Sequence, residues 1–179
     1  MSLVETIKGL TNTYHAYVFG TAFWYFLRGS MRIVSPTTVA EWFRPPAQNH
    51  FGMAKPNDLE LYNIRTDAWG LLTLAMLLLA LADAVPLPAS LVGSSLSDPA
   101  PSQFKKPYAR AAVLITLFHH VTTGMGAYQH WRLTSHHTVA MDIGVYGNVV
   151  LTLLGVAALV VGLRDGGEGE RERRGKRRV

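Results

Sequence analysis

The stretch from Val149 to Val161 contains no charged residue, and this run constrains the fold more than any other feature of the chain. A helix needs about 20 mostly apolar residues to cross the core of a bilayer, and the surrounding segment 139–163 meets that requirement. A second run, rich in leucine, lies at 71–81. Runs of this kind predict membrane-spanning helices, because the surface helices of soluble proteins are apolar on one face only.

Two further segments extend the pattern to four spans. The third span is largely apolar but carries His119 and His120 near its middle, whereas the first mixes aromatic residues with Arg28. That first segment also fits a helix lying in the membrane interface, although we favour a span. We predict one domain, residues 1–163, with an all-α fold, an integral membrane four-helix bundle. Its spans cover about 13–33, 66–86, 109–129 and 139–163.

Basic residues set the predicted orientation. Cytoplasmic connections carry an excess of Lys and Arg, and this excess occurs at Lys105–Lys106 and in the tail 164–179, which has seven Arg/Lys against four Asp/Glu. Both termini are therefore predicted to be cytoplasmic, in the endoplasmic reticulum or another endomembrane, with the connections 35–62 and 132–135 on the opposite side. We expect the tail to be disordered and to contact anionic lipids, and we expect no nucleic-acid partner.

Ionisable side chains within the spans are the candidates for function, because a charge inside a bilayer is costly unless it is paired or hydrated. The chain contains no cysteine, which excludes thiolate chemistry. On the third helix, a polar stripe recurs at helical spacing and is predicted to face the bundle. It comprises His119, Thr123, Gly126 and His130. A second set is predicted to converge near the lumenal face: Asp67, His130, His136, His137 and Asp142.

Acid–base chemistry on a lipophilic small molecule is the function that we favour for these residues. Asp67 and Asp142 would give and take protons, with His119 and His130 as their partners. The candidate substrate-binding residues are Arg65, which would hold an anionic group, Tyr62 and Trp69.

Other interpretations remain open. His130, His136 and His137 are candidate metal ligands, but adjacent histidines on a helix point about 100° apart, and a haem would need a second histidine at the depth of His119 or His120. We therefore predict no metal and no cofactor. A purely structural interpretation pairs Asp67 with Arg65 or places it at a helix end, makes the histidines hydrogen-bonded or interfacial residues, and assigns the aromatic residues to the membrane interface.

Three short motifs resemble a known family. They are Ser35-Pro36, then Ala40-Glu41-Trp42-Phe43, then the segment from Tyr62 to Leu72. Together they resemble small four-helix membrane proteins of unknown function found in fungi and bacteria (DUF4267-like), and the resemblance implies a fold without a reaction. Such bundles are also similar in outline to membrane enzymes of fungal terpenoid and polyketide pathways, although this chain is too short for the larger cyclases of that kind.

As an enzyme, the chain would be an accessory catalyst of secondary-metabolite biosynthesis that performs a cyclisation, an isomerisation or a dehydration of a lipophilic intermediate by proton transfer. The alternative is a non-catalytic membrane adaptor or scaffold that uses the basic tail to contact pathway enzymes. The expected partners are the lipid bilayer, a lipophilic small molecule and either pathway enzymes or further copies of this chain.

Overall fold

The computed structural model describes residues 13–45, 55–82 and 102–163, with side chains described from residue 107 onward in the last range. Within these ranges the protein is helical throughout, which confirms the predicted all-α class. The predicted tail, 164–179, lies outside the described residues. The five helices are α1 (Thr13–Val34), α2 (Pro36–Phe43), α3 (Asp58–Leu81), α4 (Ser102–Trp131) and α5 (Val139–Ala157), and α5 continues into a π-helical turn, Ala158–Gly162.

Local capping signals set where two of the helices begin. The side-chain oxygen of Asn57 accepts a hydrogen bond from the backbone N–H of Glu60 at 2.9 Å, and the Glu60 carboxylate accepts one from the N–H of Asn57 at 2.8 Å. This reciprocal pair satisfies two backbone donors, so α3 begins ahead of residue 66, where the sequence predicts the span to start. Thr138 caps α5 by accepting from the N–H of Met141 at 3.3 Å.

The four long helices pack in a ring, in which α1 contacts α3 and α5, and α4 contacts α5 and α3. The most extensive contacts are α1 with α3 and α4 with α5, so α1 and α4 face each other across the centre. The short helix α2 packs against α1, α3 and α5. We call the end of the ring that carries α2 and the α4–α5 turn the α2 end.

Glycines allow close approach between the helices. A Cβ atom built on Gly29 of α1 would lie 2.9 Å from Cγ of Leu72, so α3 occupies the space that a larger residue would need. At Gly155 a Cβ would lie 2.8 Å from the ring of Tyr17. Small residues at helix contacts are typical of membrane bundles, where dense packing replaces hydrophobic burial from water.

Every long helix exposes large apolar side chains. Large side chains stand out from the bundle, among them Phe23 of α1 (65% exposed), Met76 of α3 (63%), Phe118 of α4 (70%) and Leu153 of α5 (66%). Among the described helices, α3 and the continuous helix Val139–Gly162 are long and apolar enough to cross a membrane, by length and composition. Only 22% of the most apolar stretch of each is buried, so these stretches do not form a soluble protein's core.

Candidate functional site

A pocket of about 530 Å³ lies at the α2 end, between α1, α2, α4 and α5. Its walls are mostly apolar, with Trp24 and Met31 from α1, Phe43 from α2 and Ile143 from α5 among the lining side chains. The volume falls within the range of roughly 300–1,000 Å³ typical of small-molecule sites. The pocket is therefore large enough for a lipophilic molecule.

Two arginines of α1, Arg28 and Arg32, line this pocket. Nε of Arg32 lies 3.0 Å from Oδ2 of Asp67 on α3, and its Nη1 donates to the backbone carbonyl of Arg28 at 3.1 Å. The guanidinium of Arg28 lies over the ring of Trp24, 5.8 Å from its centre. Arg32 thus has a carboxylate partner, and the partner of Arg28 is an aromatic ring.

The ion pair with Arg32 defines the position of Asp67. The structural interpretation of the sequence pairs Asp67 with Arg65 or places it at a helix end, and both details are wrong: α3 begins at Asp58, and the partner lies on α1. The Asp67 side chain is 59% exposed, whereas Arg32 is only 12% exposed. An aspartate held this way joins α1 to α3.

The other predicted residues of this face lie around the α4–α5 turn. Oδ1 of Asp142 lies 3.0 Å from Nε2 of His137 and accepts a hydrogen bond from the indole N–H of Trp131 at 2.7 Å. The rings of His130 and His136 pack edge to face with centres 5.6 Å apart. The structure brings these four predicted residues together, while Asp67 pairs with α1.

Only part of the predicted polar stripe of α4 lines the pocket. Thr123, Gly126 and His130 line the pocket, as expected for a face turned toward the bundle. His119 is not among the lining residues, and its ring packs edge to face against Tyr25 of α1 with centres 5.1 Å apart.

His120, the neighbour of His119, is the buried histidine of the bundle. It is 0% exposed, its Nδ1 lies 3.0 Å from Oδ1 of Asn148, and its Nε2 lies 3.3 Å from the hydroxyl of Thr21. Asn148 donates from Nδ2 to the carbonyl of Gly144 at 2.7 Å, so its oxygen faces the histidine and must accept. The proton of a neutral His120 ring therefore sits on Nδ1, and Nε2 accepts from Thr21.

We call His120 together with Thr21, Asn148 and Thr123 the central network. It joins α1, α4 and α5, because His120 of α4 contacts Thr21 of α1 and Asn148 of α5. Thr123 adds a second contact between α4 and α5, since its hydroxyl lies 3.1 Å from Oδ1 of Asn148. A second bond, 2.7 Å from the Tyr17 hydroxyl to Thr116, crosses from α1 to α4 beside it. Buried polar groups that are satisfied in this way fix how helices align, so we assign the network a structural role.

The structure places three predicted substrate-binding residues away from the pocket. Arg65, Tyr62 and Trp69 are exposed on α3, a helix that contributes none of the described lining residues. Within the described ranges, no group of three His, Asp or Glu side chains is arranged to hold a metal ion. Both ring nitrogens of His120 are engaged, which leaves neither free to ligate a haem.

Sequence reasoning missed the central network and the pocket arginine. Thr116, His120 and Thr123 recur at i, i+4 and i+7, so the sequence indicates this polar face of α4 as clearly as the face that contains His119. Only the position of α1 decides between the two faces. Arg28 is visible in the sequence, but its neighbours in the pocket come from distant segments.

A family model described as a domain of unknown function (DUF8792) matches residues 17–177. This match agrees with the prediction of a family of unknown function, but it does not support the DUF4267-like assignment or the range in fungi and bacteria. No curated protein and no solved structure matches the chain.

Proposed function

The chain belongs to the DUF8792 family, a family of unknown function, and we propose that it is a multi-pass membrane protein that holds a lipophilic small molecule in the pocket at the α2 end. The observation that carries this proposal is the pocket itself. It has mostly apolar walls and a few polar side chains, which is the usual composition of a small-molecule site.

The outer surface supports a membrane setting for this pocket. Aromatic and aliphatic side chains are exposed on all four long helices, and a soluble monomer rarely exposes large continuous apolar patches. Several polar groups of α1 and α4 are instead directed inward, among them Tyr17, Thr21 and His120. In our proposal all four long helices span an endomembrane, with both termini cytoplasmic.

A pocket-filling variant tests the binding of a lipophilic molecule. Gly126 lines the pocket, and a Cβ atom built there would meet no atom within 4 Å, so Gly126→Phe places a ring in open space. Overfilling a site costs about 1–3 kcal/mol, so we expect about a tenfold loss of bound compound. The measurement is mass spectrometry of an organic extract of protein purified in a mild detergent.

The matched control is Gly70→Phe. Gly70 lies on α3, also has open space around its Cβ position, and is not among the lining residues. Wild type and this control should release the same lipophilic compound in similar amounts. Equal amounts from all three proteins would contradict the proposal.

Acid–base catalysis on the bound molecule is the second candidate function. The contact between Asp142 and His137 favours it, because a carboxylate that accepts from an imidazole orients that ring for proton transfer. Met141 and Ile143, the neighbours of Asp142, line the pocket, and so does His130. The reaction would be a cyclisation, isomerisation or dehydration within a secondary-metabolite pathway.

Replacing Asp142 by Asn tests this second candidate. A positioned acid or base contributes about 10²–10⁴-fold to a rate. Cells that express D142N should therefore accumulate one lipophilic precursor, relative to cells that express the wild type, when their organic extracts are compared. Asp67→Asn should have a smaller effect, since Asp67 pairs with Arg32. Unchanged extracts from D142N at wild-type protein abundance would rule out this chemistry and leave binding as the function.

A further inference from the structure

Among the described residues, Arg28 is the arginine of the pocket that forms no ion pair with a carboxylate. Arg32, one helical turn further along α1, is paired with Asp67 at 3.0 Å. None of the described residues that line the pocket is acidic. Counted over the described residues, the two arginines and Asp67 leave one positive charge beside the pocket, and an uncompensated charge inside a membrane protein is costly.

Two buried donors at this place lack acceptors. Nη1 of Arg28 and the indole N–H of Trp24 are buried, and neither has a hydrogen-bond partner in the part of the chain that the structure describes. Trp24 and Arg28 are four residues apart on α1, so they share one face of the helix, and both line the pocket. Buried donors are normally satisfied, so the pair indicates an acceptor that the described residues do not supply.

We propose that the pocket binds a single-chain amphiphile that ends in a carboxylate, with its headgroup on Arg28 and Trp24 and its chain along the apolar wall. A carboxylate accepts two parallel hydrogen bonds from a guanidinium, and one negative charge matches the one unpaired positive charge. The chain would contact Met31, Phe43 and Ile143, which line the same pocket. This inference rests on the proposed function and adds the chemical class of the ligand.

The arrangement differs from the one predicted from the sequence, where Arg65 holds an anionic group. Arg65 lies on the exposed surface of α3. Water solvates both the anion and the guanidinium there, so pairing them contributes little binding free energy. Arg28 is half-buried and stands beside an apolar cavity. A charged hydrogen bond is stronger in such surroundings.

The first experiment compares radiolabelled dodecanoate with dodecanol, which has the same chain and no charge, in saturation binding to the purified protein in a nonionic detergent. Wild type should bind dodecanoate about tenfold to a hundredfold more tightly, which is the contribution of hydrogen bonds to a charged group. Equal affinities would overturn the carboxylate assignment while leaving the proposed function standing. Saturable binding of neither probe would overturn both.

Variants then assign the headgroup to its residue. Arg28→Gln should lose the preference for dodecanoate and keep the affinity for dodecanol, which also shows that the variant is folded. Arg28→Lys should keep part of the preference because it keeps the charge. Arg65→Gln removes an arginine of the same charge from α3 and should bind both probes as wild type does. A loss of preference in Arg65→Gln, or its retention in Arg28→Gln, would overturn the proposal.

Discussion

Replacing His120 by leucine should lower the free energy of unfolding by about 2 kcal/mol, because it removes one hydrogen bond from each of two buried partners. His120 is fully buried, and it bonds both Asn148 of α5 and Thr21 of α1. Leucine fills similar space, so the loss reports the hydrogen bonds rather than a cavity. Interhelical hydrogen bonds in membranes contribute about 0.6 kcal/mol each and up to about 1.7, which agrees with a loss of this size for two.

His119→Leu is the matched control, since it makes the same substitution one position earlier on the same helix. Nε2 of His119 is buried and has no hydrogen-bond partner among the described residues. Removing an unsatisfied polar atom costs little and can stabilise, so we expect a change within about 0.5 kcal/mol. Reversible unfolding of each purified protein in mixed detergent micelles gives the two values. A larger loss for His119→Leu than for His120→Leu would contradict the central network.

A double variant tests whether the bonds themselves carry the effect. When both partners of a buried hydrogen bond become apolar, the change is often nearly neutral. His120→Leu combined with Asn148→Leu should therefore be less destabilised than the sum of the two single variants. Simple additivity would mean that the two side chains contribute through packing alone.

The helices of this protein could be predicted from the sequence because each depends on local composition. The uncharged run in α5 requires a long apolar helix whatever surrounds it, and α1 ends at Val34, one residue beyond the predicted span. The start of α3 at Asp58 escaped prediction because its first turns are polar, although Asn57 and Glu60 form a recognisable capping box.

The partners of the charged residues could not be predicted from the sequence. Asp67 and Arg65 are close along the chain, yet the ion pair of Asp67 is with Arg32, because α1 packs closely against α3 through Gly29. The histidines near the α4–α5 turn are an exception, since residues on either side of a short turn must lie close together. Contacts across short turns follow from the chain, whereas contacts between distant helices depend on packing.

Composition alone also understates how apolar the surfaces of α1 and α4 are. These two helices are not among those that reach the hydropathy of a membrane span. Part of the polar content that lowers their hydropathy is buried, as Tyr17, Thr21, Thr116 and His120 are. Polar residues that face a bundle do not contact lipid, so the outward faces decide whether these helices span.

Single cysteines test the placement of those outward faces without interference, because the chain contains no cysteine of its own. The four reporters for the lipid face are one exposed side chain from each long helix, namely Phe23, Met76, Phe118 and Leu153. The protein itself does not cover these four side chains. If all four helices span, lipid covers them, and cysteines at these positions should not react with a water-soluble maleimide in intact membranes. The effect should be all or none, because the reagent does not enter hydrocarbon.

Four further cysteines report the two sides of the membrane. Positions 41 and 134, near α2 and in the α4–α5 turn, should react from the lumenal or exterior side, and positions 97 and 167 only when the cytoplasmic side is opened. The measurement that decides is the labelling of Phe23→Cys and Phe118→Cys in intact membranes. Protection of both, together with reaction at position 134 from the lumenal or exterior side, is the result expected for four spans. Labelling of both as readily as position 134 would contradict that result and place α1 and α4 outside the bilayer.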